Sequence, residues 1–308
     1  KRAEKKNLHK KMGTPIYIAG ATATGKSAVA IEIARKIKGQ IISVDSMQVY
    51  KEMDIGTAKP STQQRNEIPH HLVDSVGLED TFDVARFVKE VGKIIGEIEN
   101  PVFCGGTGLY FQAWTEGLGD APPGNSKIRE ELEKTPKEKL LEELKKTDPE
   151  TYKKIDKKNE RRIWRAVEVI RITGKKHSEQ KANWKKIAEE KFYILERPEE
   201  EQKERIIHRT EKMFEQGLVE ETKQIQTKLE KNQTAQQALG YKQVLSYLRG
   251  EQKLPETVEQ VKSLTWKYAK RQKKWFKQLQ GTTKILIQKG EDPGVTARKI
   301  LEANGKNT

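Results

Sequence analysis

The run Gly20-Ala21-Thr22-Ala23-Thr24-Gly25-Lys26-Ser27 limits what the rest of the chain can become. It fits G-x-x-x-x-G-K-[ST] at every fixed position. It also lies between a strand-like run, "PIYIAG", and a helix-like one, "KSAVAIEIARKIKG", which is the context the motif requires. Gly25 permits the backbone turn that points successive N–H groups at an anion. The helix opening near Lys26 adds its positive end. Lys26 supplies a mobile point charge, and the Ser27 hydroxyl is placed to ligate Mg²⁺. The loop therefore predicts a phosphorylated ligand. Kinases, ATPases, GTPases and transferases all use such loops, so the ligand's identity stays open.

A phosphate loop of this kind belongs to a parallel α/β sheet, and the flanking sequence agrees. Short apolar runs at 15–20, 40–45, 71–76 and 101–106 each read as a buried strand ending in a polar or glycine turn. The segment after the loop has helical spacing and reaches Gly39, a candidate C-cap. Strands alternating with helices predict a P-loop NTPase-like, mostly parallel sheet flanked by helices, with right-handed crossovers.

The pattern changes between residues 118 and 190, where the chain becomes highly charged and helical, with breaks at Pro122-Pro123, Pro136 and Pro149. Strand character returns in "KFYILE" (191–196), and "KILIQ" (284–288) is a last strand after helices from Glu199 to about Gln280. The expected organisation is an α/β core from 14–117 and 191–308, an all-helical insertion over 118–190, and a disordered basic tail over 1–13. Neither a secretory leader nor an apolar span long enough for a membrane is expected, which points to the cytoplasm. The single cysteine, Cys104, excludes an intramolecular disulfide and a cysteine zinc cluster; its strand-end setting predicts a buried structural thiol.

The second strand runs out into "SVDSMQVYKEMDIGTAKP". Asp45 falls at that strand's carboxyl end, the edge where open α/β sheets place ligands. It can serve as a general base, as a metal-binding acid or as a turn cap. Gln48 has the amide needed for a two-point contact with a purine edge. In "CGGTGLYFQA", Gly105, Gly106 and Gly108 around Thr107 suit close backbone approach to a ligand at the same edge. His70 and His71, with Asp74, suggest metal ligation, but adjacent residues of a strand point opposite ways.

Together these segments resemble the tRNA dimethylallyltransferases of bacterial type, also called tRNA isopentenyltransferases or IPP transferases. The matching stretches are "GATATGKS", "ISVDSMQVYKEMDIGTAKP", "PHHLVD", "GGTGLYFQA", "NERRIWRAVEVIRITGK", "EQGLVEE", "ALGYKQVLSYL" and "YAKRQKKWFK". They run in the family's order from about residue 15 to 280. The resemblance implies that the loop holds the diphosphate of dimethylallyl diphosphate, not a nucleoside triphosphate. Gly20 to Ser27 and Arg271 would bind that diphosphate with Mg²⁺. The dimethylallyl group would pass to the exocyclic amine of the adenine 3′ of the anticodon, flipped out of its stack. Asp45 would take the amine proton, with Thr107 and Lys26 also catalytic. Contacts to tRNA are implied for Asp45, Ser46, Met47, Gln48, Thr107, Arg129, Asn159, Glu160, Arg161, Arg162, Ile163, Gly240, Tyr241 and Lys242. The insertion would grip the anticodon stem-loop, and a monomer is expected.

One position departs from that pattern. Many bacterial members carry Pro where this chain has Ala21, and "GATATGKS" is closer to the loop of plant adenylate isopentenyltransferases, whose acceptor is a free nucleotide. A P-loop kinase or ATPase is the generic rival, and a non-catalytic RNA-binding protein the last. The charge separates these readings. The net charge of +15, from 60 basic and 45 acidic residues, suits a polyanionic partner, and a free-nucleotide enzyme has no need of it. Lys153, Lys154, Lys157, Lys158, Arg161 and Arg162 cluster in "KKIDKKNERR". In 262–277, seven basic residues interleave with Trp266, Tyr268, Trp275 and Phe276. Such a mixture suits RNA backbone and unstacked bases, although helical spacing assigns some of those rings to the core. An RNA acceptor is the expectation.

Overall fold

β1 (Ile16–Gly20) is buried along its whole length, and its alternating side chains feed two separate cores. The computed structural model describes residues 13–180, 192–279 and 281–305. The basic run at 1–12, the end of the expected insertion at 181–190 and the first residue of the expected strand, 191, lie outside the described residues. β2 (Gln40–Val44), β3 (His70–His71), β4 (Pro101–Gly105), β5 (Phe192–Glu196) and β6 (Thr282–Leu286) join β1 in one sheet, in the order β3-β2-β4-β1-β5-β6. Every pairing is parallel: Ile18 lies opposite Cys104 on one side and Tyr193 on the other. With β1 flanked on both sides, the phosphate loop emerges from the middle of the sheet.

The helices in chain order begin with α1 (Lys26–Ile37), α2 (Thr62–Glu67), α3 (Val84–Ile94) and α4 (Gly108–Glu116). Four more follow: α5 (Ser126–Lys134), α6 (Lys137–Thr147), α7 (Pro149–Lys154) and α8 (Glu160–Thr173). After β5 come α9 (Glu199–Glu215), α10 (Leu218–Lys231), α11 (Tyr241–Leu248) and α12 (Leu254–Phe276), and after β6 the last helix, α13 (Pro293–Ala303). One face of the sheet packs Ile16, Ile18, Cys104 and Leu195 against α1 and α13. The other packs Tyr17, Phe103 and Phe192 against α3, α4, α10, α11 and α12. Tyr17 stacks on Phe103 at 4.8 Å and on Phe192 at 5.7 Å, so aromatic rings bridge three neighbouring strands.

Three expected boundaries move. The third strand is only His70–His71, because Leu72 (φ 60) and Asp74 (φ 51) turn left-handed and end the extended run. α1 ends on Lys38, itself left-handed (φ 51), and Gly39 follows the cap instead of making it. The last strand begins two residues before the apolar run that marked it, at Thr282.

The backbone contacts divide the chain into two compact units, Glu116–Lys185 and the remainder. The smaller unit has its own core of Leu132, Leu140, Leu144, Ile163, Ala166 and Val167. Its helices start where the sequence breaks. Asn125 and Asn159 cap α5 and α8 through their side chains, Pro136 precedes α6, and Pro149 opens α7 after Asp148. No helix among the described residues is long and apolar enough to cross a membrane.

Candidate active site

In the phosphate loop Ala23 (φ 64) and Gly25 (φ 95) are both left-handed, which curls the run between β1 and α1, the kind of backbone that can present N–H groups to an anion. The loop does not hold this shape alone. Its carbonyls are bound from behind by side chains that lie 173 residues or more later in the chain. Arg197 Nε donates to Thr24 O (2.8 Å), Gln202 Nε2 to Thr22 O (2.7 Å) and Arg205 Nε to Ala23 O (3.0 Å). The Thr22 N–H donates to Gln272 Oε1 (2.8 Å), and the same amide donates to Gly106 O (2.9 Å). Helices α9 and α12 thus clasp the loop's outer surface. Arg197 is itself buried and pairs with Glu201 at 2.6 Å.

Lys26 reaches back to Ala21 O (3.1 Å). Burial lowers the pKa of its ammonium; Arg209 adds to the lowering and Asp45 opposes it. Arg209 behaves alike, lowered by burial and by Arg205 against the pull of Asp45. Its guanidinium bonds the Thr22 hydroxyl (3.3 Å), and among the described residues it has no ion pair. Two partly desolvated cations beside one loop make a strong field for an anion.

A cavity of about 330 Å³ opens beside the loop. Thr22, Arg209 and Arg271 form its cationic side, Asp45, Ser46, Met47, Gly56 and Thr57 a second, and Ala238, Leu239 and Gly240 a third. Ile206, Met213 and Val261 make it partly apolar, and Tyr268 lines it with Arg271, whose guanidinium lies 5.6 Å from the ring centroid. Burial raises the Tyr268 pKa and Asp45 raises it further, so this phenol stays protonated. Asp45 Oδ1 accepts from the N–H groups of Met47 (2.9 Å) and Gln48 (3.3 Å), a turn cap that fixes the carboxyl group. Among the described residues Oδ2 takes no hydrogen bond, which leaves it available to a proton donor in the cavity. Thr107 joins from the next strand: its hydroxyl accepts from Ser46 N (3.3 Å), and its own N–H donates to Val44 O (3.2 Å).

Several expected contacts belong elsewhere. The Gln48 amide is used on both sides: Oε1 accepts from Ser43 Oγ (3.1 Å), and Nε2 donates to Thr57 O (3.2 Å) and Ala58 O (3.3 Å). It has no free edge for a purine and holds a loop instead. The glycines around Thr107 make room for protein, not ligand. A Cβ at Gly105 would lie 2.0 Å from Val44 O, one at Gly106 2.3 Å from Gln272 Nε2, and one at Gly108 2.1 Å from Trp275. His70 and His71 bond Ile68 O and Gln40 Oε1, each at 2.6 Å, while Asp74 pairs with Lys59 and Arg65. Cys104 is buried, which pushes its thiol up to about 11.

Two residues expected to touch RNA have fully buried side chains. Ile163 is in the core of the smaller unit, and the Tyr241 ring is in the main core with its hydroxyl on Glu221 (2.5 Å). Arg129 is committed to Glu168 (2.8 Å), a buried carboxylate that also pairs with Arg165 (2.7 Å). Asn159 caps α8, and Glu160, Arg161 and Arg162 are exposed there with Lys153, Lys154, Lys157 and Lys158. Lys242 is exposed and donates to Gln237 Oε1 (2.7 Å). Of the four rings in 262–277, Phe276 is core, Trp275 packs on it, Trp266 lies under Lys270 and Lys273, and Tyr268 alone lines the cavity.

For a metal, no cluster of three His, Cys, Asp or Glu exists among the described residues. Mg²⁺ does not require one, since it keeps several waters and takes most remaining ligands from substrate phosphates. The exposed Ser27 hydroxyl on the first turn of α1 suits that mode of binding.

Sequence reading alone passed over Arg209, Gln202, Arg205, Gln272 and Glu221. A signal was present for three of these: 202, 205 and 209 share one face of a helix by their spacing.

The family profile described as IPP transferase matches residues 48–279. A tRNA dimethylallyltransferase of Acetivibrio thermocellus is 40% identical over 87% of this chain and 90% of its own length. That of Halothermothrix orenii is 38% identical over 93% and 91%. Among solved structures, a full-length tRNA isopentenylpyrophosphate transferase from Bacillus halodurans superposes with a TM-score of 0.68 at 32% identity, covering 95% of this chain and 96% of that one. A eukaryotic dimethylallyltransferase acting on tRNA gives 0.76 at 30% identity, covering 95% and 79%. A phosphate loop clasped from behind, a carboxylate fixed beside it and a likeness along nearly the whole chain lead to one assignment: the chain belongs to the tRNA dimethylallyltransferase, or IPP transferase, family.

Proposed function

We infer that the protein transfers a dimethylallyl group from dimethylallyl diphosphate to the N6 amine of the adenine 3′ of the anticodon in tRNA, releasing diphosphate. The observation that carries this reading is a cavity that brings together Thr22 of the phosphate loop, Arg209, Arg271 and Asp45. At its cationic side, the loop N–H groups, Lys26, Arg209 and Arg271 hold the diphosphate. An allylic carbon with a good leaving group needs its departing charge stabilised more than it needs a strong nucleophile. The partly desolvated cations beside Thr22 supply that field. Ser27 would be among the ligands of a divalent cation, Mg²⁺ in our reading, which would share the leaving charge when bound.

The adenine enters from the Asp45–Met47 and Gly56–Thr57 side. Its N6 lone pair forms the bond to the allylic carbon as the carbon–oxygen bond to diphosphate breaks. Asp45 Oδ2 accepts the amine proton, and the cap on Oδ1 keeps the carboxylate oriented. Thr107 steadies the Ser46 backbone beside it. Exposed basic residues of the smaller unit, with Lys242, supply the affinity for RNA backbone. The same reading keeps the enzyme cytosolic and monomeric, alongside its substrate.

Incubation with labelled dimethylallyl diphosphate and Mg²⁺, offering unmodified tRNA and AMP in parallel, tests the reading. Label is expected in tRNA at the adenine beside the anticodon. Label in AMP alone would overturn the acceptor, and ATP hydrolysis with no transfer would overturn the reaction.

A further inference from the structure

The phosphate loop is braced by α9 and α12. The opposite walls of the cavity have a brace of their own, formed by one carboxylate that touches neither the loop nor Asp45. Glu221, in the first turns of α10, accepts the N–H groups of Asp54 (3.1 Å), Ile55 (2.9 Å) and Gly56 (3.4 Å) in succession. It also accepts the hydroxyl of Tyr241 (2.5 Å), the first residue of α11, and that hydroxyl in turn accepts from Gly56 N (3.2 Å). Three consecutive backbone donors on one carboxylate form an anion nest closed by a side chain of the same protein. The position four residues past Gly217, near the positive end of α10, stabilises the charge further.

Both segments held by Glu221 line the cavity. On one side are Gly56 and Thr57; on the other is Gly240, next to Tyr241. The fit leaves no slack, since a Cβ at Gly56 would lie 2.4 Å from the Tyr241 ring and 2.9 Å from Leu218. The far side of the same loop is tied down by the Gln48 amide and by the Lys59 ammonium, which is almost fully buried and donates to Tyr50 O and Asp54 (each 2.6 Å). Remove the Glu221 carboxylate, and the N–H groups of Asp54 and Ile55 and a buried phenol lose their acceptor together, while Gly56 N–H keeps only the Tyr241 hydroxyl, at the point where two walls meet.

We propose that Glu221 is a positioning residue for the acceptor: it fixes the shape of the walls that orient the adenine amine toward Asp45, and has no part in holding the diphosphate. The inference rests on the transfer reaction inferred above. The two braces share no residue, so their effects separate in kinetics.

The test is steady-state transfer to an unmodified tRNA, with donor and acceptor varied independently, for wild type, Glu221→Ala, Glu221→Gln and, as the opposite brace, Gln272→Leu. For Glu221→Ala, kcat/KM for tRNA is expected to fall on the order of 10- to 100-fold, the scale of a misplaced reactant, with the KM for dimethylallyl diphosphate within about twofold of wild type. Glu221→Gln keeps one acceptor oxygen and recovers part of the loss. Gln272→Leu raises the donor KM instead. Equal rises in the donor KM for Glu221→Ala and Gln272→Leu would overturn the proposal, as would wild-type kinetics in Glu221→Ala. If Glu221→Ala does not fold, Tyr241→Phe, which removes one contact of the brace, must show the same split in weaker form. An absence of transfer by the wild-type protein would instead refute the reaction on which the proposal rests.

Discussion

Asp45 divides its carboxylate between two tasks, and the division makes its role testable. Oδ1 is held by two backbone N–H groups, so the side chain keeps its orientation when nothing is bound. Asparagine at 45 preserves that cap while removing the base. Asp45→Asn should therefore leave the fold and RNA affinity intact and slow single-turnover transfer by ~10²–10⁴, the usual worth of a positioned base. Transfer at the wild-type rate would remove Asp45 from the proton path. The phosphate loop and Asp45 were legible from sequence because each is a contiguous motif at a strand end. Gln48 and the glycines around Thr107 were misread for the opposite reason. Their residue types serve a ligand or a neighbouring segment equally well, and only the tertiary fold shows Val44, Gln272 and Trp275 against those glycines.

Among the elements, α9 carries the largest share of what local pattern could not reveal. Its start at Glu199 was readable, but its end at Glu215 was not, and its partners are loop carbonyls that lie far earlier in the chain. Arg197, just before the helix, is the clearest instance: it joins Thr24 O, Gln288 O and Glu201, with both side chains of the ion pair about nine-tenths buried. Taking away one partner strands a buried charge, so Arg197→Met should cost ~3–5 kcal/mol of unfolding free energy. Combining it with Glu201→Leu should return part of that loss, because the orphaned carboxylate goes too. Denaturant titration of the two variants checks both points. Equal stability of the single variant and wild type would show that the loop does not depend on this clasp.

For the whole molecule, the excess positive charge is best judged by its salt dependence. The exposed cluster Lys157, Lys158, Arg161 and Arg162 lies in the smaller unit. If these four side chains neutralise phosphates, replacing all of them with Gln should flatten the slope of log affinity against log salt by up to roughly three units. An unchanged slope would place the RNA backbone elsewhere. The alternation of strands and helices made the sheet's class readable, whereas its strand order was not, since β1 pairs with β5 across the whole smaller unit. That pairing has a further consequence for how the protein is made. The phosphate loop is translated early, but the residues that clasp it, Arg197, Gln202, Arg205 and Gln272, leave the ribosome long afterwards. A nascent or prematurely terminated chain that stops before Arg197 carries the complete motif without its clasp, and one that stops short of Gln272 carries only part of the clasp, so the loop's shape is not fully held until Gln272 has been made.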